Sequence, residues 1–404
     1  MATRELKAAA LAVAAAVSST TNHNTIACEA VAAVVSAVAT DSDLLGRNVP
    51  RKPNGRYLRT HLPTPGNSFW RELLAHGDEM AFFNFTALLR GSFTDLVELC
   101  KEDLLSMPIR GHTGDITHHS PRRCHQRRRL FTPTDIIAMT MKFLTTTAEL
   151  KDLHPQFGAL KTTYDDCVWM GMQVIVKNLI NDERAKVFWP INEPGYLERC
   201  AERTAMFDQV PNVVGMADGL RRQSKNPRDP LKQNRDFSGY GHDCYRNNVF
   251  VWDTYGKIVD CSLNAPGNFH DSKNAFYGRI YRHIACLPDP YCIVADSAFY
   301  TRGRLSGKII KTQQEQDPED KSEKASQTTH IRQPSEWGNN SLTGTFRRLQ
   351  VELPTSNLKR AYVLWSCVLL LNWRTETCDR SQIRTYFDYL KNEADAEKDG
   401  SSSS

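Results

Sequence analysis

The chain reads as an α/β domain, a mixed sheet flanked by helices, behind an all-α region that contains a helix-turn-helix. Three observations predict this. Between residues 68 and 185 apolar side chains recur at helical spacing. From Val213 short apolar runs alternate with turn signals in the order β, β-hairpin, α, β. After a polar insertion, apolar-periodic helices follow.

Composition sets the outer bounds. A chain of 404 residues has ample material for about two or three domains. Hydrophobic content of 40% and charged content of 24% are ordinary for a soluble globular protein. The net charge of +5 is compatible with a nucleic-acid partner but does not argue for one; where the charge lies matters more. The 11 cysteines are an odd number, form no CxxC pair and show no zinc spacing, so reduced thiols in an intracellular protein are the expectation. No run approaches the roughly 18 apolar residues needed to span a bilayer, so no membrane association is expected.

Residues 1–67 form a low-complexity leader and a basic linker. MATRELK followed by AAALAVAAAV has the outline of a signal peptide, but its middle is mostly alanine and a second alanine-rich run follows at Ala30 to Ala39. A weakly structured leader is the plainer reading. Arg47 to Arg56 is a basic Pro/Gly stretch; a solvated linker is the plainer reading and a weak nuclear-localisation patch the alternative.

Residues 68–185 are the helical region. Phe69, Trp70, Leu73, Leu74, Phe82, Phe85, Leu88, Leu89, Phe93, Leu96 and Val97 predict two or three helices whose aromatics build a core. A basic cluster follows, in which Arg122, Arg123, Arg127, Arg128 and Arg129 are flanked by His118, His119 and His125. It reads either as a mobile loop or as a set of sequence-blind phosphate contacts. Thr132-Pro133 then opens a helix to Leu144. A short helix from Glu149 to Gly158 and a longer one from Lys161 to Leu179 complete the helix-turn-helix outline. In that motif the first residues of the last helix meet DNA, which here are Lys161, Thr162, Thr163 and Tyr164. Asp165 and Asp166 disfavour phosphate nearby.

Residues 186–390 are the α/β domain. Val213 to Ala217 is a strand ending at Asp218-Gly219. Asn248 to Asp253 and Ile258 to Leu263 form a hairpin, Lys273 to Ile284 a helix, and Tyr291 to Ala295 a strand ending at Asp296-Ser297. In a ribonuclease-H-like sheet the first strand lies beside the fourth, so Asp218 and Asp296 would converge. A third acid, Glu336, opens the amphipathic stretch that follows; Glu352 is the fallback. The insertion at about residues 313–330 is read as an exposed loop, and Glu315, Asp317 and Glu319 within it as decoys. A lone Asp at a strand end is usually a turn residue. An ordered pair with a third acid suits two divalent ions, which activate a nucleophile and stabilise a leaving oxygen in an in-line displacement. The expected fold class is an α/β catalytic domain with a ribonuclease-H-like mixed sheet.

Between Asp218 and the hairpin, Arg221, Arg222, Lys225, Arg228, Lys232, Arg235 and Arg246 are interleaved with Phe237, Tyr240 and Tyr245. This pattern suits a DNA strand held beside a carboxylate cage; a charged excursion that merely covers the sheet is the plainer alternative. The segment from Lys391 is read as a disordered tail.

The motifs GMADGL, PGNFHDS, ADSAFY, SEWGNNSLTGTFRRLQVELP and LLLNWRT, in this order, resemble the DDE endonuclease domain of PIF/Harbinger-type transposases. The resemblance is strong over residues 215–374 and extends more weakly over residues 68–387. It implies metal binding by Asp218, Asp296 and Glu336, with His270 and Asp271 matching a His-Asp pair adjacent to the site. The chain departs from the family at Ala295, Ala298-Phe299 and Leu370-Leu371-Asn372, where Gly, Gly-Tyr and Leu-His-Asn are usual. None of these changes removes an implied metal ligand. The resemblance further implies two Mg²⁺ (or Mn²⁺), DNA as the partner at transposon ends and AT-rich targets, a Myb-like DNA-binding accessory protein, a homo-oligomer, and nuclear localisation. The activity it implies is strand hydrolysis followed by strand transfer. Two alternatives differ in kind: a catalytically silent, host-adopted DNA-binding or scaffold protein, which the intact acidic triad argues against, and a structure-specific or RNA-directed nuclease.

Overall fold

Helical spacing in the first part of the chain becomes packed helices, and the alternating part becomes one sheet. The structure is a computed structural model describing residues 62–107, 130–239, 241–312 and 323–401. It divides into two units. One holds the residues up to Glu183 with Thr345–Val351 and Ser356–Cys367; the other holds Arg184–Gly344, Glu352–Thr355 and the residues from Val368.

In the first unit, α1 (Phe69–His76), α2 (Glu79–Thr86) and α3 (Arg90–Ser106) carry the aromatic cluster. Trp70 stacks on Phe85 at 5.6 Å, and Phe82 meets Phe93 edge-on at 5.3 Å. These four rings are buried, as core aromatics should be, whereas Phe69 is exposed. The indole of Trp70 donates to Asp135 at 3.0 Å. Asp135 also closes a capping box with Thr132 at the start of α4 (Pro133–Leu144), so one carboxylate satisfies both the helix start and the core. A short α5 (Leu150–Leu153) runs into a 3-10 turn, and α6 (Lys161–Leu179) follows the left-handed Gly158. The three expected helices therefore form near their expected bounds. Tyr164 does not face outward: it is fully buried, donating its hydroxyl to the Met139 carbonyl at 3.1 Å.

The second unit is a mixed sheet with helices on both sides. Its strands are β1 (Val213–Gln223), β2 (Phe237–Ser238), β3 (Asp243–Asp253), β4 (Ile258–Pro266), β5 (Cys292–Ala295) and β6 (Ile309–Lys311). β1 lies between β3, antiparallel, and β5, parallel; β4 pairs with β3 and β6 with β5. The hairpin is longer than its apolar stretch because Asp243 to Asn247 before it and Asn264 to Pro266 after it continue the ladder away from the turn. The single helix expected over 273–284 is two, α9 (Asp271–Tyr277) and α10 (Ile280–Ile284), divided at the left-handed Arg279.

Side chains alternate across a strand. One face of the sheet carries Ala217, Val249, Val251, Ile293 and Ala295, packed with Ala275, Ile280 and Ile284 from α9 and α10. By the same alternation Met216, Asp218, Leu220 and Trp252 look to the other face, where α11 (Glu323–Thr345) lies. Gly338 of α11 makes this approach possible, since a Cβ there would sit 2.7 Å from the Trp252 ring. The expected loop at 313–330 is thus corrected in its second half: helix begins at Glu323, and Glu336 sits well inside it rather than at its opening. Residues 313–322, with Glu315, Asp317 and Glu319, lie outside the described residues.

Between α6 and β1 lies α7 (Tyr196–Glu202); α8 (Pro230–Asp236) joins β1 to β2. α12 (Asn357–Thr377) and α13 (Gln382–Ser401) follow α11. Asn372, in the stretch where the family's Leu-His-Asn is expected, is fully buried and clamps both backbone polar groups of Ile258 at 2.8 and 2.9 Å. Leu371 is buried too. α13 continues through residues expected to be a disordered tail, as the helix-forming composition of KNEADAEK allows. Among the described residues no helix is long and apolar enough to cross a membrane.

Candidate active site

Asp218 lies inside β1, not at its end, because the ladder with β3 continues to Gln223. Its level in the sheet is fixed by the parallel pair Ala217–Ala295. Asp296 is the first residue after β5, so the two acids follow paired residues on neighbouring strands. The Asp296 carboxylate also accepts the Ser297 N–H at 2.6 Å, which holds the chain as it leaves the sheet.

Glu336 belongs to α11 and is exposed, its side chain 47% accessible. Arg332, one turn earlier, grips it at 2.6 Å. One turn later, Asn339 donates its side-chain amide to Asp218 at 2.9 Å and more loosely to the Gly219 carbonyl at 3.4 Å. Asn339 is buried, and its side-chain oxygen has no hydrogen-bond partner. Pro334 removes one rung of the helix just before Glu336.

Asp271 opens α9 and wedges against β1 at Gly219. A Cβ on Gly219 would lie 2.4 Å from the Asp271 carboxyl carbon, so only glycine admits this approach. Asn247 on β3 donates to Asp271 at 2.7 Å. His270 is the exposed residue before the helix, and its side chain does not cap it.

These neighbours set the state of Asp218. Burial pushes its carboxyl up to about 6. The Gly219 N–H and the Arg332 guanidinium act in the opposite direction, while Asp271 and Glu336 add to the rise. Asp218 therefore feels two acids, Asp271 and Glu336, and one cation, Arg332. Among the described residues no group of three His, Cys, Asp or Glu side chains is gathered closely enough to hold a metal ion. The arrangement brings Asp218 and Asp296 to one level of the sheet and leaves Glu336 turned to Arg332. Glu352 is exposed; its neighbour Leu353 pairs with Gln223 at the far end of β1, about 17 Å along the strand from Asp218.

The basic candidates separate by burial. Lys161 and Thr162 are exposed and Thr163 half-buried. Arg221 and Arg222 extend β1 and are half-buried; the Arg222 Nε is buried with no partner. Lys225, Arg228, Lys232 and Arg235 are exposed. Arg246 is not available to a ligand, being buried in an ion pair with Asp236. Arg127, Arg128, Arg129 and Tyr240 lie outside the described residues.

Residues 217–372 match the family model of the DDE superfamily endonuclease. The match begins beside Asp218 and ends at Asn372, and takes in Asp296, Glu336 and Asn339. It supports a DDE transposase-like nuclease on a mixed sheet with flanking helices. Neither a curated protein nor a solved structure matches the chain.

Asn339 and Arg332 were not among the residues singled out from the sequence. Their signal was spacing: positions three after and four before Glu336 share its helix face. Asp271 was singled out, but its contact with Gly219 joins residues far apart in the chain, and no local pattern announces it.

Proposed function

We propose that the second unit is a ribonuclease-H-like nuclease domain of the PIF/Harbinger type that cuts and joins DNA strands with divalent metal. The observation that carries this reading is the level pairing of Asp218 and Asp296 on parallel neighbouring strands, with the Glu336 helix bonded to Asp218 through Asn339. The donor set fits a hard cation: carboxylate oxygens from Asp218, Asp296 and Glu336, and the unpartnered buried oxygen of Asn339. The elevated carboxyl of Asp218 is further support: burial raises it, Asp271 and Glu336 add to the rise, and a bound cation would lower it again. Two Mg²⁺ or Mn²⁺ would supply an activated nucleophile and charge stabilisation at the leaving oxygen.

The chain's own residues do the rest. Asp218 and Asp296 hold the cleavage point level with the sheet, and Glu336 turns from Arg332 to complete the oxygen set. Arg221, Arg222, Lys225 and Arg235 hold the DNA backbone near β1. His270 and Asp271 bracket the site beside Gly219. In the first unit, Lys161, Thr162 and Thr163 open a recognition helix for the transposon end, with Arg127, Arg128 and Arg129 as phosphate contacts. The reaction is hydrolysis at the element end and attack of the freed 3′-OH on AT-rich target DNA. It takes place in the nucleus, in a homo-oligomer aided by a Myb-like partner.

The test is Mg²⁺-dependent cleavage of DNA carrying the element's terminal repeats by wild type and Asp296→Asn. Cleavage by wild type alone supports the reading. If both bind the DNA and leave it intact, the protein is a silent DNA-binding protein instead.

A further inference from the structure

We propose that Phe269, Phe276 and Tyr277 form a stacking platform for an unpaired nucleotide of the DNA strand served by Asp218. This rests on the DNA-cleaving reading and adds a subsite to it. Helix α9 buries Asn274 and Ala275 and turns Lys273, Phe276 and Tyr277 outward. Phe276 is 66% exposed and Tyr277 65%. Two such rings side by side on one short helix contribute little to the core and leave apolar surface in water at a cost.

The rings are ordered against one another. Tyr277 lies 5.5 Å from Phe269 and 5.4 Å from Phe276, at 87° to the latter. Lys273 places its ammonium 4.1 Å over the Phe269 ring. The Asn268 N–H meets the Arg235 carbonyl at 3.4 Å, so the basic end of α8 lies alongside. Exposed aromatic faces interleaved with cations are the chemistry that binds single-stranded nucleic acid, the base stacking and the cation meeting phosphate.

Position ties this patch to Asp271. The same helix begins at Asp271, whose carboxylate presses on Gly219, the residue after Asp218. Tyr277 lies six residues further on, about 9 Å along the helix axis. A base within a duplex has no free face to offer, so the platform takes an unpaired base at the end being cut, largely without regard to its identity.

The test compares wild type with the double variant Phe276→Ala/Tyr277→Ala and the aromatic pair Phe276→Trp/Tyr277→Phe. Both positions are exposed, and thermal unfolding checks that the fold is kept. Each protein is titrated, with Ca²⁺ in place of Mg²⁺, against a blunt duplex and the same duplex carrying a short single-stranded end that contains 2-aminopurine. The proposal predicts that wild type prefers the single-stranded end and quenches the 2-aminopurine. The alanine pair should lose the quenching and roughly five- to hundred-fold of that affinity, with the blunt duplex unaffected and the aromatic pair like wild type. Equal quenching by wild type and the alanine pair overturns it. So does an equal loss on both DNAs, which marks a general phosphate contact. Unchanged DNA binding with altered self-association overturns it in favour of a protein-facing surface. A wild type that binds neither DNA refutes the DNA-cleaving reading itself, a result separate from loss of the single-strand preference.

Discussion

Asn339 donates its side-chain amide to the Asp218 carboxylate across 2.9 Å, from a helix position one turn after Glu336. The bond ties the α11 helix to the middle strand and orients a carboxylate that is largely buried. Asn339→Leu keeps the bulk and removes the donor. A hydrogen bond to a charged group is worth about 1.5–3 kcal/mol, and loss of an orienting partner costs metal affinity roughly 10–100-fold. Calorimetric titration with Mn²⁺ should show a loss in that range. Asn339→Asp should instead move the pH dependence of binding upward, by adding a like charge beside Asp218. Unaltered Mn²⁺ affinity in Asn339→Leu would remove Asn339 from the site.

Asp218 itself should make metal-free stability depend on pH. Burial raises its carboxyl to about 6, from an unfolded value of about 3.9. A raised acid contributes stability that is fully present below the unfolded value and lost as pH rises through the folded one. Asp218→Asn should therefore resemble wild type near pH 4 and be the more stable protein at pH 8 without metal. The difference is on the order of 2–3 kcal/mol, a few degrees of melting temperature. Thermal unfolding in chelator across that range checks it, and a less stable variant at pH 8 contradicts it. With metal present the order should reverse, because only the carboxylate binds; Mn²⁺ affinity of wild type should rise as pH passes through about 6.

Arg332 competes for the same acids. It holds Glu336 at 2.6 Å and its charge favours ionised Asp218. Arg332→Gln should release Glu336, lower metal-free stability above pH 6, and raise Mn²⁺ affinity several-fold. Calorimetry and unfolding on one preparation give both values. A fall in Mn²⁺ affinity would show that Arg332 supports the metal geometry rather than opposing it.

In the helical unit, Lys161 is exposed and Thr163 half-buried at the start of α6. Lys161→Ala with Thr163→Ala should weaken binding to terminal-repeat DNA by roughly 1–3 kcal/mol for a base-reading contact and flatten the salt dependence for a phosphate contact. Unchanged affinity and salt slope, measured by fluorescence anisotropy, would exclude α6 as the recognition helix.

The sequence made the order of elements legible because period and turn chemistry are local. It placed β1 beside β5 through topology, and the parallel pairing of Ala217 with Ala295 bears that adjacency out. What it hid was non-local. The apolar run stops at Ala217, yet β1 continues through polar residues because β3 supplies partners as far as Gln223. A polar stretch before Glu336 looked like loop, although from Glu323 it is helix. Tyr164 was offered to solvent by its position in the motif, but the Met139 carbonyl holds it in the core. Gly219 and Asp271, on elements far apart in sequence, meet only in the folded chain.

The most direct test of a shared metal site at Asp218, Asp296 and Glu336 is a Mn²⁺ titration followed by electron paramagnetic resonance on wild type and Asp296→Asn. Asp296 is the informative position because its partnership with Asp218 rests on the strand pairing. Saturable binding by wild type, weakened at least about tenfold in Asp296→Asn, is the predicted result. Identical isotherms for the two proteins, or no bound Mn²⁺ in wild type, would contradict it.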